Sequence, residues 1–135
     1  MVTETLTVST GRRRAAVDLT RDLAAFLDGR GDGLLTVFVP HATAGVAVIE
    51  TGAGSVDDLW DRIDELLPRA DDLYRHRHGS PGHGADHVLP AFVAPSVTVP
   101  VVDGAMTLGT WQSIVLIDPN EDNPQRTVVV SFIEG

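Results

Sequence analysis

The chain holds five histidines and no cysteine, which narrows the chemistry open to it. Four of the five, His76, His78, His83 and His87, fall in one short polar stretch. Neutral imidazole is the commonest nitrogen ligand for zinc, and three protein ligands with one open position mark a catalytic site. His76 and His78 point the same way if that stretch is extended. His83 and His87, four apart, share a face if it is helical, although Pro81, Gly82 and Gly84 argue against a helix starting before His83. The plain alternative is a set of exposed loop histidines.

The fifth histidine lies in VFVPHATAGVAVIET, residues 37–51. His41 follows a proline and an apolar strand, a place where loops present chemistry on a rigid scaffold. Glu50 closes the next apolar segment, and a strand that only fills a core needs neither residue. Without cysteine, disulfides, thiolate catalysis and Cys-ligated metal are excluded, so any metal must be held by His, Asp or Glu. All ten basic residues are arginine, which also excludes lysine Schiff-base chemistry.

These residues need elements to carry them. Residues 4–10 alternate as a half-buried strand. Thr20 is placed to cap a helix with Leu23, Phe26 and Leu27 on its core stripe. Residues 34–39 and 44–49 read as two buried strands. Ser55 and Asp58 resemble a capping box that opens an acidic amphipathic helix ending at Pro68. Residues 96–102 alternate, Asp103-Gly104 predicts a type I′ hairpin turn, and residues 106–111 form its return arm. Residues 114–117 and 127–133 read as another antiparallel pair joined by DPNEDNPQR. Strands outnumber helices, so the expected class is α+β, with a mainly antiparallel sheet, two or three helices and an apolar face left for partner subunits.

At 135 residues the expectation is one compact domain spanning 1–135, with a single proper core. A net charge of −9 argues against nucleic-acid binding and against a polybasic membrane surface. The N-terminal residues lack the apolar stretch of a signal peptide, and no run approaches the ~18 apolar residues of a membrane span. A cytoplasmic protein is expected.

VFVPHATAGVAVIE resembles the "HTTAGVTINE" signature of the YjbQ-like family, the secondary thiamine-phosphate synthases. YRH at 74–76, ADHVLPAF around His87, SVTVPVVDGAMTLGTWQSIVL at 96–116 and the terminal strand after Arg126 follow the same pattern in order and spacing. The resemblance implies a YjbQ-like fold assembled as a homotrimer. It implies His41, His76 and His87 as ligands of a divalent metal, zinc by the chemistry of its ligands, with magnesium the alternative. It further implies Glu50, Gln112 and Arg126 as catalytic residues, and Trp111, Arg126 and Thr43 as contacts to a phosphorylated small molecule. The chain departs from the pattern at Ile49, where the family has Asn, and in TGAGS (51–55) and PGHGAD (81–86). His78 and His83 have no counterpart and are expected to be loop residues.

The activity so implied joins hydroxymethylpyrimidine diphosphate to a thiazole phosphate and releases pyrophosphate. Arg126 would hold phosphate oxygens and Trp111 would stack on a heteroaromatic ring. Two other readings stand beside it: a zinc-dependent hydrolase with Glu50 as base, and a non-catalytic trimer that binds a metal or small ligand. A six-residue strand spans about 20 Å, so His41 and Glu50 cannot serve one site across it. In a symmetric trimer, Glu50 of one subunit could meet His41 of the next.

Overall fold

The computed structural model describes residues 1–77 and 79–135. Eight strands and three α-helices follow one another as β1 (Val2–Ser9), β2 (Ala15–Asp18), α1 (Thr20–Leu27), β3 (Gly33–Phe38), β4 (Gly45–Ile49), α2 (Ser55–Leu66), α3 (His83–Val88), β5 (Ser96–Val102), β6 (Ala105–Met106), β7 (Ser113–Asp118) and β8 (Gln125–Glu134). Two antiparallel sheets result, a five-stranded one in the order β1-β8-β3-β5-β6 and a three-stranded one in the order β2-β7-β4.

The period-2 pattern of the strands determines how the sheets stack. Leu35, Val37, Val99, Val101, Val128, Val130 and Phe132 line the inner face of the larger sheet. They meet Ile114, Leu116 and Val46 of the smaller one, and Leu23, Phe26 and Leu27 of α1 complete this core. Strand β7 is buried on both faces: Val115 and Ile117 point the other way, under Trp60, Leu67, Ala85 and Leu89 of the helical layer. The architecture is thus sheet, sheet, helices, in three layers. Arg14 fastens the helical layer to β2, pairing both terminal guanidinium nitrogens with Asp64 at 2.8 and 3.0 Å and lying over the Trp60 ring.

Several local expectations need correction. Residues 114–117 and 127–133 do form strands, but β7 and β8 belong to different sheets, so the loop between them crosses the sandwich instead of closing a hairpin. The hairpin after Asp103-Gly104 is real, with φ of 51° and 76° at the two turn residues, yet its return arm stops at Met106. Thr20 does not cap α1. Its Oγ1 accepts the Ile114 N–H instead, tying the helix to β7. No capping box opens α2, where Gly54 is the N-cap and the Asp58 N–H bonds to its carbonyl. No helix of the described residues is long and apolar enough to cross a membrane.

The outward residues of β1, β3, β5 and β8 include Thr3, Thr5, Thr7, Thr36, Thr98 and Ser131 together with Leu34, Phe38, Val129 and Ile133. None of the residues facing out from these four strands is charged, in a chain of which 21% is charged.

Candidate metal centre

His76, His83 and His87 converge in the helical layer, with one ring nitrogen of each lying within 4.8 Å of the others. Helix α3 begins at His83, so His83 and His87 project from one face at i and i+4. Their Nε2 atoms are 2.9 Å apart. His76 arrives from the preceding loop and stacks on His87 with ring centroids 4.0 Å apart. Gly84 permits this approach, because a Cβ there would lie 2.6 Å from the Tyr74 Cβ. The loop is held in place around α3: Asp71 Oδ1 accepts the Gly82 N–H, Arg69 pairs with buried Asp86, and the Tyr74 hydroxyl donates to the Pro68 carbonyl. Burial pushes the Asp86 carboxyl above its usual range, against the pull of Arg69.

Donor chemistry and spacing fit a divalent ion. Ligand nitrogens at ~2.1 Å from a tetrahedral zinc lie ~3.4 Å apart, so the three rings need only small shifts to present their nitrogens together. All three donors are imidazoles, which suits zinc better than magnesium. Behind His83, the Asp122 carboxylate lies 3.2 Å from Nδ1. The Ser80 N–H donates to the same carboxylate, and this bond holds Asp122 below the usual carboxylate range. A cavity of about 170 Å³ adjoins the rings, lined by Asp71, His76, Arg77, Ser80 and His83 among others.

His41, expected as the third ligand, is not in this group among the described residues. Strand β3 ends at Phe38, and beyond it the His41 Nε2 accepts the Thr127 N–H at 2.9 Å, continuing the bonding along β8. Burial first, and Arg126 second, hold its pKa below the ordinary value. His83, expected to be a plain loop residue, takes the place in the ring cluster. Its i,i+4 spacing to His87 was the available signal. His78 lies outside the described residues.

Arg126 and Thr43 also have uses other than the expected ones. The Arg126 guanidinium is buried and holds both Asp118 carboxylate oxygens, at 2.7 and 2.8 Å, and donates to Thr43 Oγ1 at 2.9 Å. Asn120 joins them: its N–H donates to Asp118, and its side-chain amide donates to Thr43. The pair clamps β8 to β7 across the open end of the sandwich and anchors the loop before β4. Asn120 Oδ1 in turn accepts the Asp122 N–H, so a chain of bonds runs from this clamp to Asp122, whose carboxylate faces His83. Sequence reasoning missed Asn120 and Asp122, because nothing in a polar Asn/Asp loop marks which carboxylate meets a histidine.

Glu50 and Trp111 lie at the opposite end of β7. The pairing of Ile49 with Ser113 brings them together on an open cleft of about 280 Å³ shared with Thr51, Gly52, Ala53 and Thr110. Trp111 is 74% exposed, which no core role explains. Gln112 is exposed, and its Oε1 accepts the Gly109 N–H, closing the turn before β7.

A three-layer α+β domain carrying a three-histidine cluster is the class that fold and site define. The chain belongs to the YjbQ-like UPF0047 family, whose model matches residues 4–135. It is 67% identical over 135 residues to UPF0047 protein Rv2556c of Mycobacterium tuberculosis, covering the whole of both chains. It is 36% identical over 114 residues to UPF0047 protein YugU of Bacillus subtilis, covering 82% of this chain and 84% of that one. Among solved structures, the hypothetical protein APE1520 of Aeropyrum pernix K1 superposes with a TM-score of 0.88 at 33% identity over the full length of both chains.

Proposed function

We propose that this protein is a cytoplasmic, homotrimeric metal-dependent enzyme acting on a phosphorylated small molecule, with thiamine-phosphate-synthase-like group transfer as the reaction. The observation that carries the reading is the convergence of three imidazoles beside a cavity, in a chain with no cysteine. A divalent ion held by His76, His83 and His87 would supply Lewis-acid charge to a phosphoryl oxygen. The rest of the work falls to the chain itself. Trp111 offers an exposed face on which a heteroaromatic ring can stack, and Glu50 beside it is placed to take or orient a proton. Arg126 is committed to Asp118, so its part is to set the shape of the site and not to grip phosphate directly.

The uncharged outer face of the larger sheet supports the trimer, since faces of that kind are buried between copies far more readily than charged ones. In a trimer the Glu50–Trp111 cleft of one subunit would complete the histidine site of the next. The all-imidazole donor set favours a second reading, a zinc-dependent hydrolase of phosphorylated substrates. One experiment tests both. Protein purified without a His-tag is assayed for metal, stripped with a chelator, and screened with and without restored zinc or magnesium. The substrates are a pyrimidine diphosphate plus thiazole phosphate pair and simple phosphate esters. Stoichiometric zinc with metal-dependent coupling supports the transferase, and metal-dependent ester cleavage supports the hydrolase. Metal-free protein that is indifferent to added ions refutes both.

A further inference from the structure

We infer that Asp122 is a positioning residue of the metal centre, fixing the tautomer and direction of His83. The inference rests on the metal-binding reading above. A histidine can offer a lone pair from only one ring nitrogen when neutral, and which one is set by the bond the other nitrogen makes. At His83 the other nitrogen faces a carboxylate at ion-pair distance: Asp122 Oδ2 lies 3.2 Å from Nδ1. A carboxylate only accepts, so its charge favours the proton on Nδ1 and the lone pair on Nε2. His83 Nε2 is the atom that faces His87 Nε2 at 2.9 Å, inside the cluster. The carboxylate therefore directs the ligand atom inward and raises its basicity, the usual effect of an acid behind a ligating histidine.

Asp122 can do this because it is itself fixed from both sides. The Ser80 N–H donates to Oδ2 at 3.2 Å. Its own N–H is held by Asn120 Oδ1, and Asn120 by Asp118 of the buried clamp. The loop from β7 to β8 thus reaches out of the sandwich and orients one ligand in the helical layer. This gives the crossing loop a role that its sequence alone does not suggest.

Asp122→Asn is the discriminating change. The amide keeps the volume, and its oxygen can still accept from Ser80. That same oxygen position faces His83 Nδ1, so the change removes the negative charge behind the ring while leaving an acceptor there. Chelator-treated wild type and Asp122→Asn are titrated with Co²⁺, followed by absorption and calorimetry. The His83 tautomer is read in both metal-free proteins from ¹⁵N chemical shifts. The expected result is one Co²⁺ per chain in both, bound about 10–100-fold more weakly by the variant, with an unchanged metal-free melting temperature. His83 should carry its proton on Nδ1 in wild type. Equal Co²⁺ affinity, or a wild-type His83 already protonated on Nε2, overturns the inference while leaving the metal site standing. A wild type that takes up no Co²⁺ and no Zn²⁺ overturns the metal-binding reading and the inference together.

Discussion

Replacing Arg126 by methionine should destabilise the protein far more than the loss of a surface charge would. Asp118 is 0% exposed and Arg126 3%, and the guanidinium makes two bonds to the carboxylate and one to Thr43. Methionine fills much of the space but leaves Asp118 a buried carboxylate whose remaining donor in the clamp is the Asn120 N–H. Breaking a buried pair from one side costs about 3–5 kcal/mol, because a charge is left uncompensated. Set against a total stability of about 5–15 kcal/mol, that is a large share, and for a domain of this size it lowers the melting temperature by roughly 10–20 °C. Urea and thermal unfolding of wild type, Arg126→Met, Asp118→Leu and the double variant, at one protein concentration and without metal, provide the check. The double variant should recover most of the loss, since removing both charges removes the desolvation problem as well. An Arg126→Met protein within ~1 kcal/mol of wild type would refute the clamp, and would return the guanidinium to the pool of groups free to bind phosphate.

Three further outcomes follow from the geometry. The pKa of His41 is depressed, so the unfolded chain binds that proton first. Stability should therefore be intact above pH ~6.5 and fall as pH drops through the lower folded value. His41→Gln, which keeps an acceptor for the Thr127 N–H, should flatten that part of a stability–pH curve, and an unaltered curve counts against the assignment. Phe38→Asp places a charge on the uncharged outer sheet face. Light scattering should show wild type as the proposed trimer and this variant as a monomer, and a monomeric wild type at micromolar concentration removes the trimer altogether. Glu50→Gln should keep fold and bound metal yet slow the reaction about 10²–10⁴-fold; an unchanged rate makes Glu50 structural.

The strands were legible because buried strands write their period into the sequence: residues 96–102 coincide with β5, and residues 34–39 and 44–49 lie within one residue of β3 and β4. Sheet membership was not. A hairpin and a crossing between stacked sheets use the same alternating strands and the same polar connecting loop, and what distinguishes them is the pairing of β7 with β2 and β4 and of β8 with β1 and β3. The same limit applies at the site. His76 and His87 stood out through their motifs, and His83 was visible in its spacing to His87. Its selection over His41 depends on α3 starting at residue 83, and Pro81 and Gly82 signal that start only once the tertiary contacts of Arg69 and Asp71 are known. Helix caps misled for a related reason: the hydroxyl of Thr20 had a strand N–H within reach, and that bond replaced the local one.

Strand β7 contributes side chains to both hydrophobic cores, so opening either core uncovers one face of a strand that also builds the other. The helical layer and the sandwich are therefore expected to unfold together, and the amides of β7 should exchange only through global unfolding. Occupancy of the histidine cluster is then felt everywhere. An ion bound at 100 times its dissociation constant adds about 2.7 kcal/mol to that single transition, and the added protection should appear on β7 and on strands of the far sheet that touch no ligand at all.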